Sequence, residues 1–358
     1  MPFYQSTQNG FQHELNRRIE RFFTQKDQVK YGNRAMYFKI TLALTAWSFS
    51  LTALYLLPDS ISELIFLFLL HALTSLFVIF NIGHDAVHQA ISRNKKINNA
   101  LSWVFNLLGG NRYSWYLKHN IGHHRYTNIH SLDPDIDTTP LFRVSPHTKL
   151  LWHYRFQHLY IIPLYCLLSL VLIFVFDLKV LYRNPEKIGG KEYFLQWLIL
   201  ISTKLGYLFY MIILPWQILP LTLPQVFAGF FAMHGLLGLC IALVLLPSHF
   251  IGGTRFFRKP TSDCQPYSWA EHQLLTTVDI APKSRLLNFL LGGLNTNVLH
   301  HIYPKLAHIH LPELSHILEI TARDYNMPYK KLPLKMAIVE HFRFLKKMGN
   351  SSLAEQTT

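Results

Sequence analysis

The sequence predicts an all-α integral membrane protein with four transmembrane helices arranged as two hairpins. Three observations carry this. Half of the 358 residues are hydrophobic and only 15% are charged, against roughly 25% in an average soluble domain. Apolar runs of about twenty residues recur along the chain, each long enough for a ~30 Å hydrocarbon layer. The twenty histidines are far in excess of need, and most of the clustered ones fall just outside those runs.

Residues 1–35 are polar and basic, with Arg17, Arg18, Arg21, Lys26, Lys30 and Arg34. They read as a solvated cytoplasmic segment, because positive charge beside a span stays on that side. They are polar and lack a cleavable apolar core, so no signal peptide is expected. The first hairpin comprises spans 36–57 and 61–82, joined by Pro58, Asp59 and Ser60. An amphipathic segment, 97–108, ends at Gly109 and Gly110. Three more apolar runs follow, at 159–176, 193–214 and 226–246.

If the histidines on either side of these runs share a site, an even number of crossings must separate them. Charge selects the run that drops out. The segment 177–192 carries Lys179, Arg183, Lys187 and Lys191 and belongs on the cytoplasmic side, whereas 215–225 carries no charge. Run 159–176 is therefore expected to be interfacial or buried, with 193–214 and 226–246 as the second hairpin. Lys204 counts against that hairpin, since a charge inside a span is costly unless it finds a polar interior. Residues 36–345 form one domain on this reading, and 346–358 are expected to be a disordered tail.

The formal charge of +14 suits anionic headgroups or phosphate-bearing ligands on a membrane protein. Nothing resembles a nucleic-acid-binding module, and no nucleic-acid partner is expected. Cys166, Cys240 and Cys264 are too few and scattered for a disulfide framework or a thiolate zinc site.

Three clusters carry the chemistry: His84 and His88; His119, His123 and His124; and Asn297, His300 and His301. On an α-helix, residues four apart lie one turn above each other and can share a metal. His124 sits about 100° round from His123 and can serve a neighbouring metal. His249 follows the last span and is an eighth candidate, whereas His71 and His234 lie inside apolar runs and are expected to be structural. Eight imidazoles exceed the four ligands of a single zinc. They fit two metals, and redox-active iron in pairs fits best, since imidazole suits iron. Asp85, Asp133, Asp135, Asp137 and Asp279 lie near the clusters. They can accept the second ring N–H of a ligating histidine or be solvated loop charges. Arg112, Lys118 and Arg125 are candidates for a phosphate-bearing headgroup.

The motifs Gly83-His84-Asp85-Ala86-Val87-His88, Trp115 through Asn128, Asp133 through Asp137, Trp269-Ala270-Glu271-His272-Gln273, Gly292 through Asn295, and His300-His301-Ile302-Tyr303-Pro304 resemble the membrane-bound fatty acid desaturases. Within them the acyl-CoA (linoleoyl-CoA-like) and front-end enzymes are most similar. The resemblance implies a four-span fold with a cytoplasmic helical cap holding a di-iron centre. It implies His84, His88, His119, His123, His124, His300 and His301 as iron ligands and His249 as an extra one. It further implies O2 as co-substrate, an acyl-CoA or acyl-lipid substrate that gains a cis double bond, and a separate electron donor of cytochrome b5 or ferredoxin type. The expected location is a bacterial inner membrane or the endoplasmic reticulum, with active site and termini cytoplasmic. One position departs: such relatives begin the third box with Gln or His, and this chain has Asn297, one methylene shorter than Gln. That departure admits a lipid hydroxylase on the same scaffold. A zinc-binding membrane receptor or hydrolase is the alternative from another class.

Overall fold

The computed structural model describes residues 10–136, 139–184, 189–259 and 267–350. Its principal helices are α1 (Phe11–Gln25), α2 (Arg34–Leu56), α3 (Ile61–Val87), α4 (Lys95–Ser102), α5 (Tyr116–His123), α6 (Trp152–Tyr182), α7 (Gly190–Ile218), α8 (Leu223–Ser248), α9 (Trp269–Thr276), α10 (Asn297–Ile302), α11 (Leu311–Asp324) and α12 (Leu334–Asn350). Two short parallel strands, β1 (Asp279–Ile280) and β2 (Lys331–Leu332), pair in the register Asp279↔Lys331. The chain divides into two compact units. The span unit takes residues 33–119 and 162–242; the short-helix unit takes the described parts of 1–32, 120–161 and 243–358.

Five helices among the described residues are long and apolar enough to cross a membrane: α2, α3, α6, α7 and α8. Four of them cover the predicted runs. The fifth, α6, covers the run expected to be interfacial or buried, and length and composition do not set it apart from the others. The protein is a membrane protein by this measure, and the number of crossings is taken up below.

In the span unit, helix starts follow the sequence. Asn33 Oδ1 accepts from the Ala35 and Met36 N–H groups ahead of α2. Ser60 and Glu63 form a capping box ahead of α3, which satisfies N–H groups that a helix start leaves open. Phe38, Phe49, Phe66, Phe194 and Leu205 are all more than 60% exposed, an apolar surface that suits lipid rather than water. Polar groups face inward. Lys204 is buried, with Nζ 2.8 Å from Asp177 Oδ2 and donating to the Gly109 carbonyl at 3.0 Å. The residue that counted against a span therefore has its polar interior. His71 bonds Ser50 through Nδ1 at 2.8 Å. His234 bonds Ser169 through Nδ1 and Tyr207 through Nε2, both at 2.9 Å. These two histidines are structural, as the sequence suggests. Gly238 lets α8 reach α6 directly, because a Cβ there would lie 2.5 Å from the Tyr165 carbonyl oxygen.

The short-helix unit has an ordinary hydrophobic core. Phe11, Leu15 and Ile19 of α1 pack with Ala270 and Leu274 of α9, Val298, Leu299 and Ile302 of α10, and Leu311, Leu314 and Leu318 of α11. Residues 11–25 are thus an amphipathic helix with a buried face, not a solvated segment; their i, i+4, i+8 apolar spacing is the reason. Helix α12 runs to Asn350, past the expected start of the tail, and residues 351–358 lie outside the described residues. Buried Arg143 donates to the Met348, Thr148 and Pro146 carbonyls, fastening the end of α12.

Candidate metal centre

The first box is set by the last turns of α3. The helix widens to π winding over Ile79–Gly83 and returns to α at His84. Such local widening recurs at functional sites. His84 and His88 then stand one turn apart with ring centroids 4.7 Å apart. His119 joins them, its ring 5.3 Å from His84 and 5.2 Å from His88. His84 Nε2 and His119 Nε2 are 3.2 Å apart. All three are buried. Trp115 lies against His119 at 4.8 Å, and Phe105 stacks on Trp115 at 5.3 Å, an aromatic wall that keeps water off the ring.

Helix α5 is π-wound throughout. The spacing of His119 and His123 predicts a shared metal, but the two rings take different neighbours. The ligand atoms of His119 gather with those of His84 and His88, and those of His123 with His249 and His301, each set within 4.8 Å. His124 goes to His300, with Nε2 atoms 3.1 Å apart.

Within the short-helix unit, His123, His249 and His301 meet with ring centroids 4.7–5.0 Å apart. Each has its Nδ1 against an oxygen. His123 Nδ1 lies 3.1 and 3.2 Å from the Asp133 carboxylate oxygens and 3.3 Å from Asp135 Oδ2. His249 Nδ1 donates to the Thr276 carbonyl at 3.2 Å. His301 Nδ1 lies 3.1 Å from Gln273 Oε1 and 3.3 Å from Thr127 Oγ1. A carbonyl or carboxylate can only accept, so these contacts put the proton on Nδ1 and make Nε2 the nitrogen able to ligate a metal.

The residues fit a metal on further grounds. Two imidazole nitrogens held at ~2.1 Å by one ion, roughly at right angles, lie about 3 Å apart; the 3.1 and 3.2 Å Nε2 pairs have that spacing. Burial, with His123 alongside, holds His249 down at about 3, so its ring is neutral at pH 7, the form that ligates.

The other predicted residues separate into those that touch a histidine ring and those that do not. Asp133 is the firmest: besides His123 it accepts from the Asn128 and Asp135 N–H groups at 2.8 and 2.9 Å. Asp85 Oδ1 is 3.7 Å from His84 Nδ1, past hydrogen-bonding distance. Asp279 meets no ring. It accepts from Val298 N–H at 2.8 Å and the Tyr329 hydroxyl at 2.6 Å, and so anchors the start of α10; burial pushes its carboxyl up to about 7. Asp137 lies outside the described residues. Asn297 donates its amide to His249 Nε2 at 3.0 Å. Arg112 sits over Trp103 and donates to the Asn99 carbonyl. Lys118 lies over Trp115 and Phe176, and Arg125 over Tyr126. Gln273, Thr276 and Thr127 touch ligand rings and were not singled out in the sequence. The motif containing Gln273 was visible, but no spacing rule assigns it a contact.

Buried histidines clustered so that they could hold metal, on a chain with helices long and apolar enough to cross a membrane, point to the class of membrane enzymes with a histidine-rich centre. A model of the fatty acid desaturase family matches residues 60–333, and the chain belongs to that family. It is similar to an sn-1 linoleoyl-lipid 6-desaturase of Synechocystis sp., 31% identical over 96% of each chain. It is also similar to an sn-1 linoleoyl-lipid 6-desaturase of Arthrospira platensis, 29% identical over 95% of this chain and 93% of that one. An acyl-lipid (8-3)-desaturase B of Dictyostelium discoideum is 31% identical over 75% of this chain and 60% of its own length. The protein is an oxidoreductase that desaturates fatty acids.

Proposed function

We propose that the chain is an acyl-lipid desaturase that holds two iron ions through His84, His88, His119, His123, His124, His249, His300 and His301. The observation that carries the ligand set is the trio His123, His249 and His301, with each Nδ1 tied to an acceptor and the three rings gathered within reach of one ion. The acyl-lipid substrate is supported by the two relatives that match nearly end to end, both named for linoleoyl-lipid.

Four crossings are supported by the same trio. His123 precedes α6, whereas His249 and His301 follow α8. An even number of crossings must separate them, yet three long apolar helices intervene. We take α6 as the one that does not cross. The end of α6, the start of α7 and the residues between them carry Lys179, Arg183, Lys187 and Lys191, while residues 219–222 between α7 and α8 carry no charge. The histidines and both termini then belong on the cytoplasmic side of a bacterial inner membrane or the endoplasmic reticulum.

Bound iron supplies the O2-dependent oxidation that removes two hydrogens from adjacent methylenes, with electrons from a separate cytochrome b5-type or ferredoxin donor. The chain's own part is to hold the ligand rings and exclude water. Asp133 orients His123, Trp115 and Phe105 cover His119, and Arg112, Lys118 and Arg125 are the cations assigned to a lipid phosphate. Asn297 is a neighbour of His249 able to turn its amide oxygen towards a metal.

The test is expression in a host of simple lipid profile, with mass spectrometry of intact lipids. A new double bond at one position of an esterified chain is the expected result. An alcohol product would instead support the hydroxylase reading that Asn297 admits. One zinc and no iron in the purified protein would end both.

A further inference from the structure

Helix α9 carries no proposed ligand, yet each of its inward residues touches a segment that does. Trp269 Nε1 donates to the Ile302 carbonyl at 3.0 Å. His272 Nε2 donates to the Thr127 carbonyl at 2.8 Å. The Thr276 carbonyl accepts from His249 Nδ1. Gln273 does two things at once: its Nε2 donates to the His124 carbonyl at 3.3 Å, and its Oε1 faces His301 Nδ1 at 3.1 Å. The residues at i, i+3, i+4 and i+7 of one short helix thus brace the second box, the third box and His249 together.

We propose that Gln273 is a positioning residue that sets the tautomer of His301 and fixes the second box to the third. The proposal rests on the di-iron reading. The logic is one of hydrogen-bond capacity. The His124 carbonyl can only accept, so it holds the NH2 end of the Gln273 amide. The oxygen end must then face His301, and it requires a proton on His301 Nδ1. The Nε2 lone pair is thereby turned to the metal side. Gln273 is fully buried, so no water competes for either contact. Partners of this kind contribute about 10–100-fold to metal affinity.

The test compares purified wild-type protein with Q273M, which keeps the length and loses both bonds, and Q273E, which keeps the acceptor facing His301. Iron per chain is measured across a chelator series, together with the melting temperature of each metal-free protein. Q273M is expected to release about half of its iron at roughly 10–100-fold lower chelator, while Q273E holds both irons. Unchanged chelator resistance in Q273M overturns the proposal. So does equal iron loss in Q273M and Q273E that tracks the metal-free melting temperature, since that marks a merely structural role. A wild-type protein that binds no iron overturns the di-iron reading itself, and the proposal with it.

Discussion

His234 and His301 are the same residue type, both almost fully buried, and they do different work. His234, in the span unit, has both ring nitrogens engaged by hydroxyls, Ser169 on one side and Tyr207 on the other. His301 has Nδ1 engaged by Gln273 and shares its remaining side with His123 and His249. Burial alone therefore says nothing about ligation. What separates the two is whether the second nitrogen meets a private partner or converges with other imidazoles.

The comparison breaks most visibly at the ligand. His301→Gln is expected to abolish product and lower the iron content, whereas H234Q keeps its iron; iron analysis of both variants decides it. A large effect on stability is expected from Lys204→Met, which leaves Asp177 buried without its ion-pair partner. The cost is about 3–5 kcal/mol, and the double variant Lys204→Met with Asp177→Leu recovers most of it; thermal unfolding in detergent reads both. Asp133→Asn weakens the orientation of His123 and is expected to lower metal affinity about 10–100-fold, seen as earlier iron loss against chelator. His234→Leu strands the Tyr207 hydroxyl, while Ser169 keeps its bond to the carbonyl of residue 234; it costs about 1–3 kcal/mol and leaves chelator resistance unchanged. A drop in iron there would erase the distinction drawn above.

The smallest effect at neutral pH belongs to His341 in α12, whose Nδ1 donates to the Phe250 carbonyl at 2.8 Å. Burial lowers its pKa to about 4. The folded state then binds fewer protons than the unfolded state between that value and the ordinary ~6.5. Its stabilising contribution is full above about pH 6.5 and is lost as pH falls towards 4. H341L is expected to flatten the acid limb of melting temperature against pH and to leave the neutral plateau nearly level.

Residue spacing made much of this legible. The apolar runs at 36–57, 61–82, 193–214 and 226–246 match α2, α3, α7 and α8 to within five residues, because a hydrocarbon layer demands one length of apolar chain. His84 and His88 come together because a helical turn aligns residues four apart. Long-range partners were not legible. Lys204 was visible as an anomaly, but nothing local points to Asp177, which lies 27 residues away. Nor did the sequence tell which neighbours His119 and His123 take, since those neighbours come from distant segments. Asp279 was near the third box in sequence, yet it serves the backbone of Val298, a role that composition does not distinguish from ring contact.

The pocket for α1 has a consequence for the order of biosynthesis. Phe11, Leu15 and Ile19 find their partners on α9, α10 and α11, and Arg18 pairs with Asp324 at 2.8 Å. The ribosome therefore delivers α1 almost three hundred residues before the surface that receives it. The long apolar helices are made while that amphipathic segment waits for its partners, a natural client for a chaperone or for the bilayer surface itself. The histidine cluster is likewise completed late, because His300 and His301 emerge after all five of the long apolar helices among the described residues.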